Sequence, residues 1–230
     1  MIKKKAPISY TLIAVSVVFF LLQNLSTWFF RAELLLYFGA KINPLILQGE
    51  VWRFLTPAFL HGSVLHLAFN MYALFSIGPT LERKYGKTSF LLLYAISAIF
   101  GNVLSFLFSP NVSLGSSTAI FGLIAAQGVY IYKNRHLLGS AARPLLMNVL
   151  FSIMVNLFLG FSSSNIDNLG HLGGLAGGSL YAWFAGPSYG IGENIFGENV
   201  IVKETKKIFQ TAGLILFLAL FLVGLGFLLQ

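Results

Sequence analysis

Long apolar runs occur along this chain, each bounded by charged residues or by clusters of Gly, Pro, Asn and Ser. A helix that crosses the hydrocarbon core of a bilayer needs about 20 mostly apolar residues. Apolar and polar residues do not alternate with period two in these runs, so the strands of a membrane β-barrel are not expected. The pattern predicts seven membrane-spanning helices. They are Ile8–Leu25, Leu55–Ile77, Ser89–Phe108, Ser116–Tyr132, Pro144–Leu159, Leu169–Phe184 and Ile208–Leu229.

The composition supports a membrane protein. Hydrophobic residues make up 57% of the 230 residues and charged residues 10%, against roughly 45–50% and about 25% in soluble domains. So few charges do not cover the surface of a soluble fold of this size. The absence of cysteine excludes disulfides, thiol nucleophiles and cysteine-bound zinc. The predicted fold class is therefore all-α: a polytopic transmembrane helix bundle in an integral, multi-pass membrane protein.

Basic residues predict the orientation of the bundle, because they concentrate in cytoplasmic loops. They cluster before the first span and after every second span, in Lys3–Lys5, Arg83–Lys87, Lys133–Arg143 and Lys203–Lys207. The opposite side holds only Arg31, Lys41 and Arg53. We expect a cytoplasmic N-terminus, an outside C-terminus and a bacterial plasma membrane. The net charge of +8 then needs no nucleic-acid partner.

Two connections are long. Residues 26–54 form an outer loop that is rich in aromatic residues, which is typical of a segment lying at the membrane interface. Residues 185–207 are rich in glycine and predict a flexible cytoplasmic linker. The predicted organisation is a six-span core over residues 1–184, this linker, and a seventh span over residues 208–230.

Three polar residues fall at one depth within the predicted membrane. The helical rise places His66, Ser117 and His171 each about 22–24 Å from the cytoplasmic end of its predicted span. Asn70 is one turn deeper than His66 on the same helix face. His61, by the same count, is expected at the outer surface. Unpartnered polar groups inside a membrane are costly, so this shared depth indicates a functional site.

The fourth span is short, and its helix is expected to begin only after the segment 111–115. Ser117 then lies in the first helical turn, where backbone N–H groups lack partners and the helix dipole favours negative charge. Such a position suits a nucleophilic oxygen and an oxyanion hole.

Glycine spacing predicts where the sixth span packs. Gly170, Gly174 and Gly178 recur every fourth residue, as do Gly173 and Gly177. Small residues at this spacing let another helix approach closely. Close packing of the fourth and sixth spans brings the His171 imidazole towards the Ser117 hydroxyl.

Together these residues resemble the rhomboid family of intramembrane serine proteases. The resemblance covers about residues 48–184 and rests on three motifs in the family's order. They are Gly49–Arg53 with His61, His66, Asn70 and Glu82; Gly115-Ser116-Ser117 followed by Phe121-Gly122; and Gly170-His171 with Gly173, Gly174 and Gly178. It implies a six-helix core and, as in larger members, an additional C-terminal helix.

The resemblance also implies site roles by matching position. Ser117 and His171 match the family's catalytic Ser–His dyad, and His66 and Asn70 match its oxyanion donors. Among the supporting residues, Phe121 is expected to pack under the imidazole, and Trp52 and Arg53 to anchor and stabilise the outer loop. The other supporting residues are Gly115, Gly174, Gly178 and His61.

Three points stay open at this stage. Thr118 stands where the family usually has glycine, which suggests looser packing against the sixth span or lower turnover. Ser116 competes for the nucleophile role, although only Ser117 has the family spacing to Phe121. Asp167 lies one turn before His171, where it either orients the imidazole or, as we prefer, caps the helix.

The expected function is hydrolysis of a peptide bond in or near the transmembrane helix of a single-span substrate protein, with membrane lipids as surroundings. The alternative is a catalytically weak or inactive relative that binds or escorts transmembrane helices. A small transporter ranks third, because no carboxylate or arginine is available at mid-membrane. Neither a metal site nor a cofactor is expected, since the H-E-x-x-H pattern of metalloprotease helices is missing.

Overall fold

The computed structural model describes residues 5–162, 166–193, 198–204 and 207–229. Lys3, Lys4 and Lys206, which contributed to the predicted orientation, lie outside these ranges, as does part of the predicted linker. The described helices are, in chain order, α1 (Pro7–Phe30), α2 (Leu34–Gly39), α3 (Asn43–Leu47), α4 (Val64–Tyr85), α5 (Lys87–Phe108), α6 (Ser117–Lys133), α7 (Arg135–Leu138), α8 (Ala142–Phe161), α9 (Asn168–Ala185) and α10 (Ile208–Leu229).

The long helices form the predicted all-helical membrane bundle. Five helical stretches in the described part of the chain are long and apolar enough to cross a membrane. They are Pro7–Phe30, Val64–Tyr85, Lys87–Phe108, Arg135–Phe161 and Ile208–Leu228. Of the other two predicted spans, α6 has only 17 residues, and α9 has 18 and is rich in glycine. The count of seven spans stays a prediction.

The second predicted span begins later than its hydrophobic pattern indicated. Helix α4 starts at Val64 rather than Leu55, and two short 3-10 turns, Val51–Phe54 and Thr56–Phe59, precede it. The Ser63 hydroxyl caps α4 by accepting a hydrogen bond from the His66 N–H at 3.1 Å. The apolar residues before it therefore pack as an irregular segment, and His66 lies in the first turn of its helix.

Helices α5, α6 and α9 form the centre of the bundle, and glycines on α9 let it approach both neighbours. A methyl group on Gly174 or Gly178 would overlap the α6 backbone. A methyl group on Gly173 would come 2.7 Å from the Phe100 carbonyl oxygen of α5. The predicted contact between the fourth and sixth spans is present. Gly173 and Gly177, in contrast, face the third span, α5.

A buried carboxylate joins the first two long helices at the end opposite to Ser63. Glu82, 2% exposed, accepts hydrogen bonds from the Ile8 and Ser9 N–H groups at 3.0 and 2.7 Å, and from the Ser9 hydroxyl. Helix α1 has no side-chain cap of its own. Glu82 supplies the missing acceptor, and its negative charge is favourable at the positive end of the α1 dipole.

The described part of the connection between α9 and α10 contains a pair of short strands. Two strands, β1 (Tyr189–Glu193) and β2 (Asn199–Lys203), pair in antiparallel fashion. The Asn134 side chain at the end of α6 accepts a bond from the Tyr189 N–H at 3.0 Å and donates one to the Pro187 carbonyl at 3.2 Å. Both strands have only five residues, and β1 contains two glycines, so they leave only a weak sequence signal.

Candidate active site

The predicted nucleophile starts a helix. Ser117 is the first residue of α6, and the chain enters the helix through Gly115, whose φ of +121° favours glycine. The Gly115 N–H donates to the Pro57 carbonyl at 2.9 Å, which fixes this entry against the segment before α4. As the first helical residue, Ser117 has a backbone N–H without an intrahelical acceptor.

The Ser117 hydroxyl lies within hydrogen-bond distance of the imidazole that the sequence assigned to it. Ser117 Oγ and His171 Nε2 are 2.9 Å apart. The Phe121 ring stacks on the imidazole, with ring centroids 4.2 Å apart and planes 15° from parallel. His171 is 6% exposed, and its Nδ1 has no hydrogen-bond partner among the described residues. The arrangement resembles a nucleophile and its general base.

Close packing of α6 and α9 creates this short distance. Gly174 lies one turn beyond His171 and faces the Thr118 carbonyl so closely that a methyl group would overlap it. The Thr118 side chain, 3% exposed, fills the space beside two more glycines. A methyl group on Gly101 or Gly170 would come 2.7 or 3.0 Å from Thr118 carbons. Gly101 on α5 thus makes room for the Thr118 side chain while α6 and α9 stay in close contact.

Asp167 caps α9. Its Oδ1 accepts a hydrogen bond from the Gly170 N–H at 2.8 Å, and its backbone carbonyl accepts one from the His171 N–H at 3.0 Å. Its Oδ2 has no hydrogen-bond partner among the described residues, so no carboxylate bond to the imidazole is formed. This is the capping role that the sequence favoured over orientation of His171.

His66 and Asn70 lie together beside Gly115, two residues before Ser117. A methyl group on Gly115 would come 2.7 Å from His66 Nε2 and 3.5 Å from Asn70 Nδ2. Both side chains therefore pack against the backbone just before Ser117. The Asn70 amide nitrogen is buried and has no acceptor among the described residues. Two side-chain donors therefore lie beside the segment that leads into Ser117.

Three helix N-termini converge on this point. Ser117 is the first residue of α6, His66 the third of α4 and His171 the fourth of α9. The N-terminal end of a helix carries partial positive charge from its unpaired N–H groups. Negative charge that develops near Ser117 is therefore stabilised by backbone dipoles as well as by side chains.

His61 is buried inside the protein, beside His66. It is 1% exposed, its Nε2 lies 3.4 Å from Ser116 Oγ, and its ring centroid is 5.2 Å from that of His66. Burial, together with the nearby His66, lowers the pKa of His61 to about 4, so it is neutral at pH 7. The segment before α4 is not a continuous α-helix, so a count at the helical rise does not apply to His61.

Trp52 and Arg53 organise the outer loop. Arg53 is 0% exposed, and its guanidinium donates to the Ala40 and Tyr37 carbonyls at 2.7 and 2.8 Å. The half-exposed Trp52 donates from its indole nitrogen to the Phe38 carbonyl at 3.1 Å. Both lie away from the Ser117 hydroxyl, in agreement with a stabilising rather than a chemical role.

Three residues near the site were missed in the sequence. Gly101 receives Thr118, Gln23 exchanges two hydrogen bonds with the His61 backbone, and Lys41 binds the loop before Ser117. A glycine in an apolar span or a lysine in an outer loop has no distinguishing pattern. Gln23 was detectable in principle, because an amide inside an apolar helix requires a polar partner.

Comparison with known proteins identifies the family. The Rhomboid domain model matches residues 48–188, which is more than half of the chain. The chain belongs to the rhomboid family. The matched region contains the rhomboid residues discussed above from Trp52 to Gly178, and it confirms the resemblance seen in the motifs.

Several rhomboid relatives carry protease names. The chain is 42% identical over 198 residues to "Rhomboid protease GluP" of Bacillus subtilis (strain 168), covering 86% of this chain and 38% of that protein. It is 43% identical over 147 residues to "Rhomboid-like protease 1" of Toxoplasma gondii, covering 63% and 50%. It is 38% identical over 144 residues to "Putative rhomboid protease YdcA" of B. subtilis, covering 60% and 69%. The chain thus spans half or less of the length of the first two relatives.

Proposed function

We propose that this rhomboid-family protein is an intramembrane serine endopeptidase with Ser117 as nucleophile and His171 as general base. The observation that carries the proposal is the 2.9 Å separation of Ser117 Oγ and His171 Nε2 beneath the first turn of α6. A serine hydroxyl becomes a strong nucleophile only when an adjacent base takes its proton. The protease names of the relatives support the same reaction class.

The reaction proceeds in two halves. Ser117 Oγ attacks the scissile carbonyl carbon while its proton passes to His171 Nε2. The C–N bond then breaks, and the leaving amine takes that proton. A water molecule attacks the acyl-enzyme and gives its proton to His171, which returns it to Ser117 as the ester bond breaks. Phe121 keeps the imidazole in one orientation throughout, since it stacks on the ring face.

His66, Asn70 and the Ser117 N–H are proposed to bind the oxyanion. The unpartnered Asn70 amide supports this role, because a buried donor without an acceptor is costly unless a ligand or transition state supplies one. Donors that are fixed before the reaction stabilise the developing charge without reorganisation.

The proposed substrates are proteins with a single transmembrane helix, small residues at the cut and helix-breaking residues below it. A helical carbonyl is already bonded within its own helix, so a substrate must unwind locally to reach Ser117. Lipid surrounds both molecules during the reaction.

The proposed setting is a bacterial plasma membrane, with the N-terminus in the cytoplasm, the C-terminus outside and Ser117 near the outer side. The basic loops support this orientation, and the relative that covers 86% of the chain is bacterial.

Single-cysteine labelling tests the orientation, because the chain has no cysteine of its own. We expect Val112→Cys to react with an impermeant maleimide on intact cells and Lys87→Cys to react only after permeabilisation. The reverse pattern contradicts the orientation.

Cleavage in a reconstituted system tests the function. The wild type, Ser117→Ala and Ser116→Ala are placed in liposomes with one generic single-span substrate. We expect Ser117→Ala to lose cleavage and Ser116→Ala to keep most of it, because Ser116 Oγ contacts His61 instead of His171. Cleavage by Ser117→Ala contradicts the mechanism. A folded wild type that binds the substrate helix without cutting it supports the escort alternative.

A further inference from the structure

The nucleophile follows a non-helical segment, residues 109–116, that a lysine of the outer loop holds in place. Lys41 Nζ donates to the Ser109 and Asn111 carbonyls at 2.7 and 2.9 Å. The Lys41 backbone also exchanges two hydrogen bonds with Ser113, at 2.9 and 3.1 Å. Lys41 is 0% exposed, so a cation is enclosed at this junction.

The lysine is itself fixed by its own loop. Arg53 binds the Ala40 carbonyl, and the Thr56 hydroxyl binds the Gly39 carbonyl at 2.7 Å. Next to Lys41, the Asn43 amide donates to the Phe106 and Ser109 carbonyls at 3.1 Å each. Lys41 and Asn43 of the outer loop therefore hold the start of the 109–116 segment, which leads to Ser117.

We propose that Lys41 is a positioning residue for the nucleophile, whose protonated side chain holds the 109–113 backbone so that Ser117 stays within reach of His171. This inference rests on the proposed function. An ammonium group offers three donors and forms charge-assisted bonds to carbonyls, roughly twice as strong as neutral ones. Loss of the proton weakens both bonds and leaves the segment held by Asn43 and the backbone pairing.

The charge of Lys41 is adjustable near neutral pH. Burial lowers the pKa of Lys41 from 10.5 to about 8, and the Asp167 carboxylate acts in the opposite direction. The held segment, residues 109–113, has no titratable side chain. Of the other charged groups of the loop, Arg53 is paired with Glu50 through a 2.7 Å hydrogen bond. Lys41 is therefore charged below pH 8 and neutral above it.

Activity and stability should respond to this titration in opposite ways. The contribution of protonated Lys41 to the position of Ser117 is present below about pH 8 and is lost as pH rises through that value. Between pH 8 and 10.5 the unfolded chain binds more protons at Lys41 than the folded one, so this group makes folding stability rise with pH. A fall in turnover without a fall in stability is the expected signature.

The test measures kcat and KM from pH 6 to 10 in liposomes, together with thermal unfolding in detergent. Lys41→Met removes the charge, Lys41→Arg keeps it over the whole range, and Asn43→Ala removes the neighbouring amide but leaves Lys41. Arg31→Asn, which removes an exposed positive charge from the same loop, is the matched control. Ser117→Ala gives the background.

We expect wild-type turnover to fall around pH 8, and Asn43→Ala and Arg31→Asn to show the same fall. Lys41→Met should lower kcat at pH 7 on the order of 10- to 100-fold with little change in KM, since small misplacement of a nucleophile is costly. Neither Lys41 variant should show a fall centred at pH 8. If Lys41→Met does not fold, Lys41→Arg alone decides the point.

A wild-type fall at pH 8 that persists in Lys41→Arg overturns the inference, as does a Lys41→Met enzyme with unchanged kcat at pH 7. A wild type no more active than Ser117→Ala refutes the proposed function instead. The two failures are therefore distinguishable.

Discussion

Single residues around Ser117 take their positions from helix ends. Ser117, His66 and His171 each lie in the first turn of a helix. This placement brings the proposed base within 2.9 Å of the Ser117 hydroxyl and packs the proposed donors against Gly115, two residues before it. The chemistry at this scale depends on distances of a few ångströms.

The oxyanion donors provide the first prediction. Asn70→Ala and His66→Ala should each lower kcat on the order of 10²- to 10³-fold while KM changes little, because the donors act mainly in the transition state. Cleavage kinetics on one substrate measure both constants. Asn156→Ala is the control, since that amide only bonds the Ser152 carbonyl of its own helix. Weaker binding with unchanged turnover contradicts the oxyanion role.

Thr118 provides the second prediction. Its side chain fills the space beside Gly101 and Gly170, so Thr118→Gly should lower both activity and stability, the latter by about 1–2 kcal/mol. Thr118→Val keeps the shape and removes a hydroxyl that has no partner among the described residues, so it should be at least as stable as the wild type. Thermal unfolding in detergent measures the difference. A more active Thr118→Gly enzyme contradicts this packing.

Much of the candidate site was predictable at the residue scale. Helical rise placed His66, Ser117 and His171 at one depth, and the structure brings them together. The count does not apply to His61, because it assumes a continuous α-helix and the segment before Val64 is not one. Lys41 was missed because its role depends on a long-range contact with residues 109–113, which no local pattern records.

At the scale of elements, the packing of α9 brings His171 to Ser117. Its glycines allow contact with α6 on one side and α5 on the other. The sequence period predicted a close approach, but only the structure distributes the two glycine series between the two neighbours. Without a hydrophobic gain from leaving lipid, such contacts between small residues account for much of the attraction between membrane helices.

The third prediction concerns this contact. Gly174→Val should lower cleavage on the order of 100-fold, because the added side chain meets the Thr118 carbonyl and separates Ser117 from His171. Gly213→Val on α10 is the matched control and should stay active, because a methyl group added there would meet no neighbouring element within 4 Å among the described residues. Cleavage rates at equal protein levels provide the comparison. Full activity in Gly174→Val means that α6 and α9 do not meet at this position.

At the scale of the whole molecule, α10 is joined to the core more closely than its linker suggested. A methyl group on Gly226 would come 2.6 Å from Leu107 Cδ2, and the Phe227 ring lies 6.0 Å from that of Phe106. Phe106 in turn contacts Phe54 of the outer segment, with ring centroids 5.6 Å apart. The last helix therefore supports the end of α5 beside the loop that leads to Ser117.

The fourth prediction follows from this packing. A truncation after Glu204 should still insert and should keep measurable cleavage, because the residues of the site precede Ala185. Its thermal midpoint should fall, by about 2–4 °C for each kcal/mol of packing that is lost. Unfolding curves and cleavage rates in detergent measure the two effects. An unchanged midpoint shows that α10 is independent of the core, and complete inactivity in a folded truncation shows that it is essential to the site.

Covalent labelling tests the central claim most directly. A fluorophosphonate reacts with a serine whose proton is taken by a neighbouring base: the Ser oxygen bonds to phosphorus, fluoride leaves and the imidazole accepts the proton. Mass spectrometry of the labelled wild type should find the adduct on Ser117, and labelling should be lost in His171→Ala although Ser117 is present. An adduct on Ser116, or undiminished labelling of Ser117 in His171→Ala, contradicts the Ser117–His171 dyad.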